Sequence, residues 1–268
     1  MSLERPLVVV TTKSVGEGEP VAARFEVIKA VVDAGLTPLI VCAQLYQELD
    51  QILAHGVYGV VIPGGSDISP HLYGAETGNT TQATDYERDV LEIAFIQYAL
   101  SAGLPILGLC RGAQAFAVAQ NAQLIQEVKT VSGSISHGNE NPTYADLSVP
   151  RSIHPVTVRP NTHAARVLQP LLTQDTMAVR SMHHQVIAPD TLPEHITISG
   201  VAPDGTIAIV EDEYGNLLYQ DHVEWGSTSL DPYWQQLTAL AFAAFAERVQ
   251  IAAHTPTQRV SIPVYNNF

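Results

Sequence analysis

The sequence predicts an α/β fold, a three-layer sandwich around a mainly parallel central sheet. Three observations carry this. Short apolar runs alternate with helical stretches through the first half of the chain, as in βαβ units. Several of those runs are apolar and β-branched throughout, as strands buried on both faces are. Hydrophobic residues make up 46% of the 268 positions and charged residues only 15%, which suits a filled core and argues against disorder.

The elements follow in order. Leu7-Val8-Val9-Val10 reads as the first buried strand. Residues 22–34 read as a helix, with Val27, Ile28, Val31 and Val32 on one face and Gly35 at its end. Strand 38–42, a short helix 46–53 and strand 57–62 come next, the last stopping at Pro63-Gly64-Gly65. A helix over 86–102 carries Leu91, Ala94, Phe95 and Tyr98 inward. Strand 105–109 runs straight into Cys110, and residues 112–122 form an alanine-rich helix. Residues 126–150 carry Ser, Gly, Asn and Pro without periodicity and read as a long loop. Strands at 156–158, 177–179, 196–198, 207–210 and 217–220 follow, then an apolar helix over 237–253. No composition break divides the chain, so residues 1–253 are expected to be one domain and 254–268 a tail.

Composition excludes some partners. A net charge of −14, from 27 acidic and 13 basic side chains, repels phosphate backbones, so no nucleic-acid partner is expected. The start lacks a signal peptide's apolar stretch, and no segment has the roughly 18 apolar residues of a membrane span. The expectation is a cytoplasmic protein without membrane attachment. The two cysteines, Cys42 and Cys110, supply neither a disulfide framework nor a cysteine-rich zinc site. Cys42, in the run Leu39-Ile40-Val41-Cys42, reads as a buried hydrophobe.

Gly108-Leu109-Cys110-Arg111-Gly112 is the most specific local feature. It is a thiol version of the nucleophile elbow, where a sharp strand-to-helix turn exposes the nucleophile and its neighbours must be small. A thiol at a helix start faces the positive end of the helix dipole, which favours the thiolate. The N–H groups there can hold an oxyanion.

A nucleophilic thiol needs an oriented base. His222-Val223-Glu224 follows strand 217–220, and ligands bind at the carboxyl ends of strands in such sheets, where Cys110 also sits. In an extended segment, residues 222 and 224 point to one side, so Glu224 reaches the ring of His222. The competing reading is a pair of polar residues in a surface loop. His183-His184-Gln185 lacks a third ligand for a metal and reads either as pocket lining or as plain loop. Pro63-Gly64-Gly65-Ser66-Asp67 reads either as an oxyanion-hole contribution or as a tight turn.

Together these segments resemble the class I glutamine amidotransferase superfamily, which has a flavodoxin-like fold. More closely they resemble its stand-alone γ-glutamyl hydrolases, the peptidase C26 group with γ-glutamyl-γ-aminobutyrate hydrolase. The resemblance runs from about residue 7 to 245. It rests on the Pro63–Asp67 segment with Tyr73-Gly74, on Arg88-Asp89 with Glu92, and on residues 106–114. His154-Pro155-Val156, Ser181-Met182-His183-His184-Gln185, Ala202-Pro203-Asp204-Gly205 and Gln220-Asp221-His222-Val223-Glu224-Trp225 complete it.

The resemblance implies a hydrolase of γ-glutamyl amides without cofactor or metal, in polyamine breakdown. It implies Cys110 as nucleophile, His222 as base and Glu224 as its orienting partner. Gly65 and Arg111 would form the oxyanion hole. Gly64, Gln114, His183 and Gln185 would contact a small γ-glutamyl substrate. A glutaminase subunit serving a separate synthetase, or a silent metabolite-binding member, is the alternative; a homodimer is left open. Four positions depart from the family pattern: Val223 replaces a proline, Asn121-Ala122 replace two glycines, and Ala208 replaces an acidic residue.

Overall fold

The computed structural model describes residues 5–15, 21–138 and 152–255. In chain order the elements are β1 (Leu7–Thr12), α1 (Phe25–Asp33), β2 (Thr37–Cys42), α2 (Leu49–Ala54), β3 (Val57–Ile62), α3 (Tyr86–Ala102), β4 (Ile106–Leu109) and α4 (Arg111–Val118). Then come β5 (Leu124–Ile125), β6 (Ser152–Val158), α5 (His163–Leu168), β7 (Thr176–Ser181), β8 (Val186–Ile187), β9 (Ile196–Val201), β10 (Ile207–Asp212), β11 (Leu217–Tyr219) and α6 (Pro232–His254).

A nine-stranded sheet runs β2-β1-β3-β4-β11-β10-β9-β6-β7. The half from β2 to β11 is parallel, and β10, β9, β6 and β7 pair antiparallel. The division has a physical source. Helical crossovers separate the early strands and enforce parallel neighbours, whereas the short connections between β9, β10 and β11 permit only antiparallel ones.

The period-2 geometry of the strands divides the core into two layers. Val9, Val60, Ile62 and Ile106 face α3 and α4, packing with Leu91, Phe95 and Phe116. Val8, Val10, Val61, Leu107 and Leu109 face the other way, onto Val27 and Val31 of α1 and onto Leu237, Phe242 and Phe245 of α6. The three-layer α/β expectation stands.

Several boundaries differ. Residues 22–24 stay outside α1, whose first residue follows Arg24 in an extended conformation. The helix expected over 46–53 is a 3-10 turn, Ala43–Glu48, followed by α2. The helix expected over 112–122 ends at Val118, and Asn121 adopts φ 67°. Asparagine tolerates that left-handed conformation, so it can stand where the resemblance leads one to expect glycine. The last helix begins at Pro232, capped by the side chain of Asp231 accepting from the Tyr233 N–H. It also takes in His254, the first residue of the expected tail. The short α5 and the β5–β8 pair carry too few residues for a periodic signal. In the expected loop 126–150 a 3-10 turn forms at Val128–Thr130, and residues 139–150 lie outside the described residues.

Candidate active site

Cys110 ends β4 and caps α4 with φ 52° and ψ −109°. A non-glycine residue in that region is strained at a cost of about 1–3 kcal/mol, which the surrounding structure must enforce. Its N–H is held by the Tyr219 carbonyl of β11 at 2.7 Å. The flanking glycines are sterically obligatory. A Cβ at Gly108 would lie 2.7 Å from the backbone of Gly112, and one at Gly112 would lie 1.9 Å from the Ile62 carbonyl oxygen. Gly112→Ala is therefore expected to cost about 3 kcal/mol or more, because the carbonyl belongs to a central strand that cannot yield. Urea unfolding would measure it; an unchanged midpoint would contradict the packing described.

His222 lies against this elbow. Its Nδ1 is 2.7 Å from Glu224 Oε1, and both side chains are buried. Burial opposes charge on the ring, but Glu224 and the adjoining Cys110 outweigh it and raise the His222 pKa to about 10. The other ring nitrogen, Nε2, is buried with no hydrogen-bond partner among the described residues. Trp225 stacks on the ring at 3.9 Å between centroids, fixing its plane. The contact with Glu224 arises otherwise than expected. The segment is not extended: Val223–Thr228 is a 3-10 turn, and the turn brings Glu224 back to His222. Val223, in place of proline, is the first residue of that turn, and Thr238 Oγ1 donates to its carbonyl.

Gly64 sits over both groups. A Cβ on it would stand 3.0 Å from His222 Cε1 and 3.4 Å from Cys110 Cβ. The N–H groups of Gly65 and Arg111 make no hydrogen bond among the described residues. Gly65 admits no side chain either, since a Cβ would meet the Arg88 guanidinium at 2.2 Å.

A buried ionic cluster supports both sides of this arrangement. Arg88 Nε donates to Glu92 at 2.7 Å, and Arg111 donates to both Glu92 and Asp89. Arg88 Nη2 also donates to the Pro63 carbonyl at 3.0 Å and the Gly64 carbonyl at 3.3 Å, which ties the glycine turn to α3. In the sequence these charges carry no signal beyond the family resemblance.

Gln114 Nε2 donates to the Gln185 carbonyl at 2.9 Å and to Gln220 Oε1 at 3.3 Å. Gln220 Nε2 in turn lies 3.8 Å from Cys110 Sγ. Gln114, Gln185 and Gln220 are thus brought together beside the thiol, and the buried side-chain amide of Gln185 has no hydrogen-bond partner among the described residues. The role of Gln220 was missed, although its place two residues before His222 was a signal.

The two adjacent histidines part company. His184 Nε2 lies 2.9 Å from Asp67 Oδ1 and links two loops. His183 turns into a cluster with His137 and Asp221, with ring centroids 4.6 Å from His137 and Nε2 4.0 Å from Asp221 Oδ1. Burial, with His137, His222 and His154 nearby, holds its pKa well below the ordinary value, so it is neutral. His137 is anchored by Asp204 at 2.9 Å, so the Asp-Gly turn pins the loop before residue 138.

Asp221, beside His222 in sequence, carries no local signal of its environment. It is 2% exposed, 3.6 Å from His154 Nε2, and burial lifts its pKa to about 7 against the opposing effects of His222 and Ser181. The folded value lies above the ordinary 3.8, so ionising Asp221 costs stability progressively between pH 3.8 and about 7. Asp221→Asn removes that cost. Its Tm change relative to wild type is expected to be more favourable at pH 8 than at pH 5; the reverse order in thermal melts would refute the assignment.

Among the described residues no helix is long and apolar enough to cross a membrane.

Comparison with known proteins gives the family. Residues 7–222 match the Peptidase C26 family. The glutamine amidotransferase-like protein YvdE of Lactococcus lactis is 31% identical over 202 residues, 75% of this chain and 78% of that protein. The γ-glutamyl-γ-aminobutyrate hydrolase PuuD of Escherichia coli K12 is 29% identical over 211 residues, again 75% and 78%. The crystal structure of a glutamine amidotransferase from Methylobacillus flagellatus aligns with TM-score 0.57 at 14% identity, over 97% of this chain and 98% of that one, a likeness of fold. A strained cysteine between obligatory glycines, with a carboxylate-bound histidine against it, thus lies within the matched segment and just beyond it, and the chain belongs to the Peptidase C26 family.

Proposed function

We propose that this protein is a cysteine-dependent hydrolase of small γ-glutamyl amides, working through a γ-glutamyl thioester within one domain over residues 1–253. The observation that carries the reading is the juxtaposition of strained Cys110 with the His222–Glu224 pair.

Cys110 attacks the γ-carbonyl as a thiolate, with His222 as imidazolium. The raised His222 pKa, held by Glu224, suits that ion pair at neutral pH. The oxyanion of the tetrahedral intermediate accepts from the N–H groups of Gly65 and Arg111, which need no reorganisation to donate. His222 then protonates the departing amine and the C–N bond breaks. Water, deprotonated by His222, attacks the thioester and releases glutamate with the thiol restored. Gly64, Gln114, His183 and Gln185 are proposed to contact the glutamyl part. The unpartnered Gln185 amide supports this, since a buried polar group lacking a partner is one a ligand can satisfy.

A second reading, a glutaminase passing ammonia to a synthetase, is favoured by the glutamine amidotransferase names among the relatives. Glutamate release from γ-glutamyl-γ-aminobutyrate, other γ-glutamyl amines and glutamine separates the two. Release from a γ-glutamyl amine by the isolated protein supports the first. Hydrolysis of glutamine alone supports the second.

A further inference from the structure

Two side-chain amides stand between the Cys110 sulfur and the loop after β7, and their hydrogen bonds fix which way each one faces. Gln114 Nε2 donates to the Gln185 carbonyl at 2.9 Å. A backbone carbonyl only accepts, so the Gln114 amide has one orientation. The second N–H of the same nitrogen reaches Gln220 Oε1 at 3.3 Å. Gln220 therefore turns its oxygen to Gln114 and its nitrogen the other way, towards Cys110, where Nε2 lies 3.8 Å from Sγ. Flipping the Gln220 amide would oppose donor to donor at one end and oxygen to sulfur at the other. The backbone holds both residues in place. The Cys110 N–H donates to the Tyr219 carbonyl at 2.7 Å, and the Gln220 N–H to the Ala208 carbonyl at 2.8 Å. Leu109 of β4 pairs with Tyr219 of β11, so Cys110 and Gln220 leave adjacent strand ends side by side, both buried.

The sulfur meets different partners in its two states. Sγ also lies 3.9 Å from the Met182 carbonyl. A thiol can donate its S–H there, whereas a thiolate meets only the lone pairs of that oxygen. The Gln220 N–H has the opposite preference. Its contact with a neutral thiol is weak, but with a thiolate it is charge-assisted, at a buried position where water does not compete. His222, with Glu224 behind it, is the titratable pair that faces the sulfur. Its proton passes to the leaving amine during turnover, whereas the Gln220 donor does not titrate.

We infer that Gln220 is a catalytic residue: its amide N–H holds Cys110 as the thiolate before attack and receives the sulfur again when the thioester is cleaved. In that last step water has added to the carbonyl carbon and given its proton to His222. The C–S bond then breaks, and its electron pair returns to Sγ beside the Gln220 N–H. The inference rests on the thioester mechanism for its place in turnover, but the contact can be read without any γ-glutamyl substrate.

The test is alkylation of Cys110 by iodoacetamide across pH, with Cys110→Ala as the blank for labelling of Cys42. Gln220→Met keeps the length and removes the donor. On the acid limb of the profile its rate is expected to fall about tenfold, as loss of a charge-assisted hydrogen bond implies. The deficit closes as pH rises, because a less stabilised thiolate is the more reactive one once formed. The kcat for glutamate release falls as well, while KM changes less than about twofold. Gln114→Met frees the Gln220 amide to turn and slows alkylation by a smaller factor. Circular dichroism shows that each variant folds, and Gln114→Met carries the test where Gln220→Met does not fold. Wild-type alkylation in a folded variant overturns the inference, as does an equal deficit at every pH. A raised KM with unchanged alkylation overturns it too, since Gln220 would then only shape the glutamyl pocket. Absence of glutamate release from every γ-glutamyl amide removes the hydrolase reading but leaves the alkylation result, and the sulfur contact, standing.

Discussion

Cys110→Ala is expected to lower glutamate release from γ-glutamyl amides by about four orders of magnitude or more while leaving the fold intact. The activity loss follows from chemistry: no other thiol lies near, since Cys42 is buried at the end of β2. The fold should survive because the thiol's contacts are weak. Its sulfur lies 3.9 Å from the Met182 carbonyl and 3.8 Å from the Gln220 amide, and removing one atom leaves a small void. His222→Ala is expected to cost comparably, because the nucleophile loses its proton acceptor and the leaving amine its proton donor. Single-turnover assays with circular dichroism on the same samples would check both. Retained release in either variant, at wild-type melting temperature, would end the thioester mechanism.

Glu92→Ala should produce the largest loss of stability. Glu92 is fully buried and accepts from Thr11 Oγ1 at 2.7 Å, from Arg88 and from Arg111. Burial resists its charge, but Arg111 and Arg88 prevail and hold its pKa below the ordinary 4.5. Removing it leaves two buried guanidinium groups short of countercharge, a cost of about 3–5 kcal/mol. For a protein of this size that is roughly 10 °C in Tm. Activity should fall as well, because Arg88 holds the Pro63 and Gly64 carbonyls and Arg111 adjoins the thiol. Glu92→Gln keeps the shape and should lose less. The sign of the pH effect follows: a lowered carboxylate pKa contributes stability above 4.5, lost as pH falls through the folded value. A Glu92→Ala variant melting with wild type would show that the cluster does not support the fold.

The cysteine elbow is legible in the sequence because its signal is local. Strand, cysteine and helix are contiguous, and the glycines at 108 and 112 stand where Cβ atoms would collide. The buried strands of the parallel half were legible for the same reason, since a strand covered on both faces shows as a continuous apolar run. The His222–Glu224 pair was found for a partly mistaken reason. Its residues meet through a 3-10 turn rather than through strand alternation, and a separation of two positions brings side chains together in more than one geometry.

What stayed hidden depends on contacts between residues distant in sequence. Arg88 and Glu92 look like an ordinary exposed helix pair four residues apart; only the docking of α3 beneath the Gly64 turn and beside Arg111 buries them and gives them a role. Asp221 looks like a surface acid until β6 and β7 close over it with His154 and Ser181. Local sequence therefore sets the elements and the elbow, because those rest on sterics and periodicity within a few residues. Burial sets which charges pair and which titrate abnormally, because desolvation exists only once the layers have packed.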